Sequence, residues 1–160
     1  MATHIMESPA LPGLADRLHQ ATDLAGRIPV SLLALMMRVA LAAIFIKSGM
    51  TKLANFDLTI SLFQDEYMVP LLPPALAALL ATVTELGCSG FILAGLATRF
   101  AALPLLGLTF VIEVFVYPEN WVEHLTWASM LLFLVAQGGG KLSLDRVILR
   151  SYERHRDFAS

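Results

Sequence analysis

The chain has one cysteine, Cys88, among 160 residues. An internal disulfide and a CxxC pair are therefore excluded, and thiol–disulfide exchange within this chain alone has no second thiol to use. Charge is also scarce. Asp, Glu, Lys and Arg make up 15% of the residues, against about 25% in an ordinary soluble domain. The net charge is −2 and the basic tail is short, so no nucleic-acid surface is expected. The four histidines show no His-rich or Cys-rich ligand spacing, and no metal site is expected from them, although Glu113 and His124 taken alone have the chemistry of zinc or copper ligands. No dinucleotide glycine fingerprint, phosphate loop, haem-attachment motif or Ser-His-Asp arrangement is present. A bis-histidine haem is excluded because His124 has no second histidine inside an apolar segment. A cleavable signal is not expected either. The first apolar run begins near Ile28, after Asp16 and Asp23, and no small-residue cleavage site follows it.

What remains is apolar. Hydrophobic residues are 57% of the chain and the mean hydropathy is +0.70, gathered in blocks as in a polytopic membrane protein. Four blocks approach the ~20 residues that cross a hydrocarbon core: Val30–Met50, Ala75–Ala97 after Pro73-Pro74, Phe100–Tyr117 before Pro118, and Trp121–Gln137 before Gly138-Gly139-Gly140. The fold class expected is all-α, a four-span transmembrane bundle with short amphipathic helices at both ends. Residues 1–29 form the N-terminal segment, 30–140 the membrane domain and 141–160 a basic tail. Residues 1–12, broken by Pro9 and Pro12, are expected to be disordered. Gly13–Ile28 carries Leu14, Leu18, Ala21, Ala25 and Ile28 at helical spacing, which predicts an interfacial helix. In the tail, Ser143 is a candidate N-cap, and Leu144, Ile148 and Tyr152 share a face ringed by arginines, as in a helix resting on anionic lipid. Loop one, Thr51–Pro73, is long enough for a short outer helix. Tyr67, Tyr117, Trp121 and Trp127 suggest an aromatic belt at one interface.

Loop charges give an orientation. Arg17, Arg27, Arg99, Lys141, Arg146, Arg150, Arg154 and Arg156 fall on one side. Asp57, Asp65, Glu66, Glu119 and Glu123, with Lys52 as the one cation, fall on the other. The positive-inside rule then puts both termini in the cytoplasm.

The charged residues inside apolar segments draw the functional reading, because an unpaired ion at mid-membrane costs at least ~2.5–3.5 kcal/mol. Arg38 in the first span and Glu85 in the second are close enough in estimated depth to form an ion pair. Lys47, Glu113 and His124 lie three to five residues from the outer ends of their spans, and Lys52 can snorkel to the same layer. A carboxylate, an imidazole and an ammonium together suit a proton relay, a quinone headgroup or an ion. The competing reading is structural: buried ions fix helix register, and Lys47 snorkels to headgroups. Cys88 shares a helix face with Glu85 and is a weaker candidate, since buried cysteine is usually inert. Gly87, Ser89 and Gly90 suit close helix approach.

Several short motifs occur in order: Arg38; Gly49 with Lys52-Leu53; Phe56; Val69-Pro70; Glu85 followed by Gly87; Gly95-Leu96 with Thr98-Arg99; and Gly-Gly-Lys-Leu-Ser-Leu-Asp145. Over Leu33–Asp145 the chain resembles the DoxX family. The resemblance implies a small four-span protein of the bacterial inner membrane that partners redox proteins, as in quinone-linked sulfur oxidation, or that serves thiol- or metal-stress systems. It implies no defined catalytic residue; quinone is the candidate cofactor and a redox protein or a second copy the candidate partner. Lys47 and the N-terminal extension are outside the pattern. Two rival functions remain at this point, a small permease or metal-handling protein and a non-catalytic anchor or assembly factor.

Overall fold

A computed structural model describes residues 13–157. The expectation for residues 1–12 falls outside that range. The described residues contain seven α-helices and no strand: α1 (Leu14–Gly26), α2 (Val30–Ala54), α3 (Phe56–Leu62), α4 (Pro74–Ala94), α5 (Thr98–Val111), α6 (Trp121–Gln137) and α7 (Leu144–Asp157). Two π-turns, Phe63–Tyr67 and Ile112–Val116, extend α3 and α5.

Local chemistry sets the boundaries. Pro73 and Pro74 open α4, where a missing N–H costs nothing. Gly95 closes it with a left-handed φ of 71°, its N–H donating to the Ile92 carbonyl while Leu96 N–H donates to Phe91. This Schellman closure ends the helix at Ala94, three residues before the expected end at Ala97. Asp145 then caps α5 from a distance, accepting from Ala97 N–H at 2.7 Å and Thr98 N–H at 3.1 Å. A carboxylate there also opposes the positive end of the helix dipole. Ser143 caps α7 as anticipated, accepting weakly from Arg146 N–H at 3.4 Å.

Among the described residues, three helices are long and apolar enough to cross a membrane: Val30–Ala54, Pro74–Ala94 and the α5 unit Thr98–Val116. With 17 residues, α6 spans only about 25 Å at the standard helical rise. It packs into the same core nonetheless. Leu41 and Phe45 of α2, Ile92 of α4, Leu105 of α5, and Leu131 and Leu134 of α6 are all fully buried together. Around them runs an exposed apolar surface, including Met36, Leu80, Phe110 and Leu132, as expected of helices that meet lipid. A second cluster sits under the α3 cover, where Phe63 packs on Ala77, Ala78 and Ala81. In α1, Leu14 and Leu18 are exposed; in α7, so are Leu144, Ile148 and Tyr152. These are the apolar stripes read from the spacing.

The register of α2 against α4 is fixed by Gly49. A Cβ on Gly49 would lie 2.7 Å from Leu86 Cγ and 3.2 Å from Glu85 Cβ, so only glycine permits this approach. With antiparallel helices, residue 49 level with 85–86 puts Arg38 level with the end of α4, beyond Ile92.

Candidate functional site

That register overturns the expected Arg38–Glu85 ion pair. Glu85, 1% exposed, pairs instead with Lys52. Lys52 Nζ lies 2.8 and 2.9 Å from the two carboxylate oxygens and also donates to Ser48 Oγ at 2.7 Å. Ser48 in turn donates to Glu85 Oε1 at 3.2 Å. Ser48 and Lys52 are four apart in α2, so both side chains lie on one helix face. Lys52 therefore points inward and is not the outer-loop cation that its place in the sequence suggested. The i,i+4 spacing to Ser48 was the available signal.

Arg38, 2% exposed, has no carboxylate in hydrogen-bonding contact among the described residues. It donates to four backbone carbonyls: Nε to Ile92 at 2.8 Å, Nη2 to Leu93 at 2.6 Å, and Nη1 to Gly139 at 3.1 Å and Leu142 at 2.7 Å. The first two lie in the last turn of α4, where the Ile92 carbonyl also accepts from Gly95 N–H and a cation meets the negative end of the helix dipole. The other two belong to the turn after α6. Arg38 thus joins three helices at one end of the bundle. Gly95 makes room for it, since a Cβ there would come 2.6 Å from Nη2.

At the opposite end, Glu113 and His124 come together. His124 Nδ1 is 2.6 Å from Glu113 Oε2. The histidine side chain is 4% exposed and the carboxylate 32%. Glu113 lies in the π-turn Ile112–Val116, closed by Tyr117 N–H donating to the Ile112 carbonyl five residues back. The extra residue per turn rotates the following side chains relative to α5, and such turns recur at functional sites. The pair borders a groove of about 380 Å³ lined mainly by Leu106, Phe110, Trp121, Leu125 and Ala128, with Thr109. Trp127 stacks edge-on to both His124 and Phe45. It faces inward and so leaves the expected aromatic belt, while Tyr67 and Tyr117 do meet, hydroxyl to hydroxyl at 3.3 Å.

The remaining candidates separate. Lys47 is exposed and its ammonium joins neither ion pair, so the layer of Lys47, Glu113 and His124 reduces to two members. Cys88 is half-buried against the main core. No three His, Cys, Asp or Glu side chains among the described residues come together as metal ligands do. Sequence reasoning passed over Ser48, Tyr67 as a partner of Tyr117, and Asp145 as a cap. Asp145 closes the Gly-Gly-Lys-Leu-Ser-Leu-Asp motif, which was the one signal for it.

Tyr67, outside the long apolar helices, has its phenol held above the ordinary range. Burial is the main cause, followed by the hydrogen bond with Tyr117 and nearby negative charge from Glu66 and Glu85.

The DoxX family model matches residues 33–118, more than half of the chain. The matched segment contains Arg38, Gly49, Lys52, Glu85 and Glu113; His124 and the turn after α6 lie beyond it. No curated protein and no solved structure matches the chain. The long apolar helices and the extent of the family match lead to one conclusion: the chain is a membrane protein that belongs to the DoxX family.

Proposed function

We propose that this protein is the membrane subunit or partner of a redox system and that the Glu113–His124 groove binds the protonatable headgroup of a lipid-soluble molecule of the quinone class. The reading places α2, α4, α5 and α6 across a bacterial inner membrane as four spans with both termini in the cytoplasm. The charge distribution supports that orientation: Arg99, Lys141, Arg146 and Arg150 lie at one end, Asp57, Asp65, Glu66, Glu119 and Glu123 at the other.

One observation carries the functional reading. A carboxylate–imidazole contact of 2.6 Å borders an otherwise apolar groove among membrane-type helices. Intramembrane ionisable groups are expensive and are functional candidates by default. An apolar cleft with a few convergent polar groups suits a small amphiphile. In the proposed chemistry, Glu113 orients His124 through the contact at Nδ1, and His124 exchanges a proton with the headgroup. The electrons come from the redox partner. The Lys52–Glu85 pair and the Arg38 cradle hold the helices in register and take no part in the exchange.

The test is purification of the full chain in mild detergent with mass spectrometry of the lipophilic molecules that accompany it. Quinone near one per chain, reduced at least tenfold in both E113Q and H124N, is the expected result. Quinone absent from the wild type, or retained equally by both variants, overturns the reading.

A second reading, an assembly partner, draws on α4. A Cβ on Gly87 or Gly90 would meet nothing within 4 Å, so another helix has room to approach this face closely. Loss of a co-purifying complex in G87L, with the complex intact in E113Q and H124N, would favour it.

A further inference from the structure

A second opening lies at the Arg38 end, well apart from the Glu113–His124 groove and independent of its function. It is a cleft of about 810 Å³ between the start of α5, the turn Gly138–Gly140 and the first turns of α7. Three cations border it: Arg99, Lys141 and Arg146. Their side chains are exposed and take no part in either ion pair. Among the described residues that line it, the one carboxylate is Asp145, already committed to the N–H groups of Ala97 and Thr98. The described residues that line the cleft therefore carry an excess of positive charge.

Two details show a formed recess. The turn approaches closely because it lacks side chains: a Cβ on Gly138 would be 3.3 Å from Arg99 Nε, and one on Gly139 would be 2.6 Å from Thr98 Oγ1. Thr98 itself is fully buried, borders the cleft, and its hydroxyl has no hydrogen-bond partner among the described residues. A buried hydroxyl left unpartnered costs free energy that a ligand oxygen would recover.

The rim distinguishes a lipid from a soluble anion. Phe100, 76% exposed, and Ile148 and Leu149, both about half exposed, line the same cleft. A soluble phosphate has no use for them. A phospholipid places its phosphate among cations and its glycerol and acyl chains against apolar side chains. The exposed apolar stripe of α7 continues the same surface toward Tyr152.

We infer that the cleft between α5, the Gly138–Gly140 turn and α7 is a binding site for an anionic phospholipid, with Arg99, Lys141 and Arg146 facing its phosphate and Phe100, Ile148 and Leu149 its apolar part. Lipid held there would pin α7 to the bundle. The full chain, reconstituted in mixed phosphatidylglycerol and phosphatidylcholine and released into detergent, is examined by native mass spectrometry for retained lipid. Phosphatidylglycerol retained in preference to phosphatidylcholine is expected. R99Q and R146Q should each reduce that preference roughly fivefold, as expected for one interfacial cation. K47Q, at the far end of α2, should leave it unchanged. T98V should reduce it while melting like the wild type. No preference in the wild type, or an equal loss in K47Q, overturns the proposal. So does displacement of the lipid by millimolar inorganic phosphate, which would make the site one for a soluble anion. Melting of R99Q and R146Q in phosphatidylcholine alone, unchanged from wild type, shows that a lost preference is not lost fold; K141Q supplies the same test from the turn.

Discussion

Lys52 and Glu85 form a two-pronged ion pair across the α2–α4 interface, with Nζ within 2.9 Å of both carboxylate oxygens. The carboxylate is buried and the ammonium mostly so. Breaking such a pair from one side leaves a bare charge, which costs about 3–5 kcal/mol. K52M should therefore lower the stability of the detergent-solubilised protein more than the double variant K52M/E85Q does. A double-mutant cycle on thermal or denaturant unfolding should return a coupling of about 1–3 kcal/mol. Additive losses would mean that the two side chains act separately.

Arg38 should tolerate no replacement. R38M removes four hydrogen bonds from a charged donor, and each carbonyl it leaves loses its side-chain partner. The expected loss is about 3 kcal/mol or more. R38K keeps the charge but not the planar fork that reaches carbonyls on two sides, so it should recover only part of the loss. Unfolding midpoints of the three proteins measured side by side decide this; full stability in R38K would show that charge alone matters.

The glycines of the two long helices should behave oppositely. G49A forces a methyl into Leu86 and Glu85 and should cost about 1–3 kcal/mol. G87A meets open space and should be neutral or stabilising by up to about 1 kcal/mol. Melting of both in the same detergent checks the contrast.

Tyr67 gives a pH dependence. Its folded phenol holds its proton more tightly than an unfolded tyrosine does, since burial disfavours the phenolate. The stability this contributes is complete below the unfolded value of about 10 and is lost as pH rises beyond it. Tyrosinate absorbance should show a late-titrating group in the wild type that disappears in Y67F. The alkaline loss of stability should shrink in the same variant.

Much of the fold was legible because apolar blocks, proline breaks and the Gly138–Gly140 turn each act locally. The terminal helices followed from spacing, and the α3 cover from the length of loop one. The side-chain pairing was not legible, because it depends on register between helices. Depth counted from span ends put Arg38 beside Glu85, and that count carried span two through to Ala97. The close contact at Gly49 slides α2 along α4 by about two turns relative to that estimate, which carries Arg38 to the last turn of α4. Lys52 was read as a loop residue for a local reason: α2 continues to Ala54, past the end expected at Met50. Glu113 and His124 were placed at one depth correctly, since each was counted from a short connection between adjacent spans, which leaves little room for error.

The Arg38 cradle also bears on biosynthesis. Two of its four acceptors, Gly139 and Leu142, come about a hundred residues after the arginine. A growing chain must therefore hold a half-satisfied guanidinium until the last turn leaves the ribosome. Released chains truncated after Gln137 should be more open to protease at the α2–α4 seam than chains that continue past Leu142.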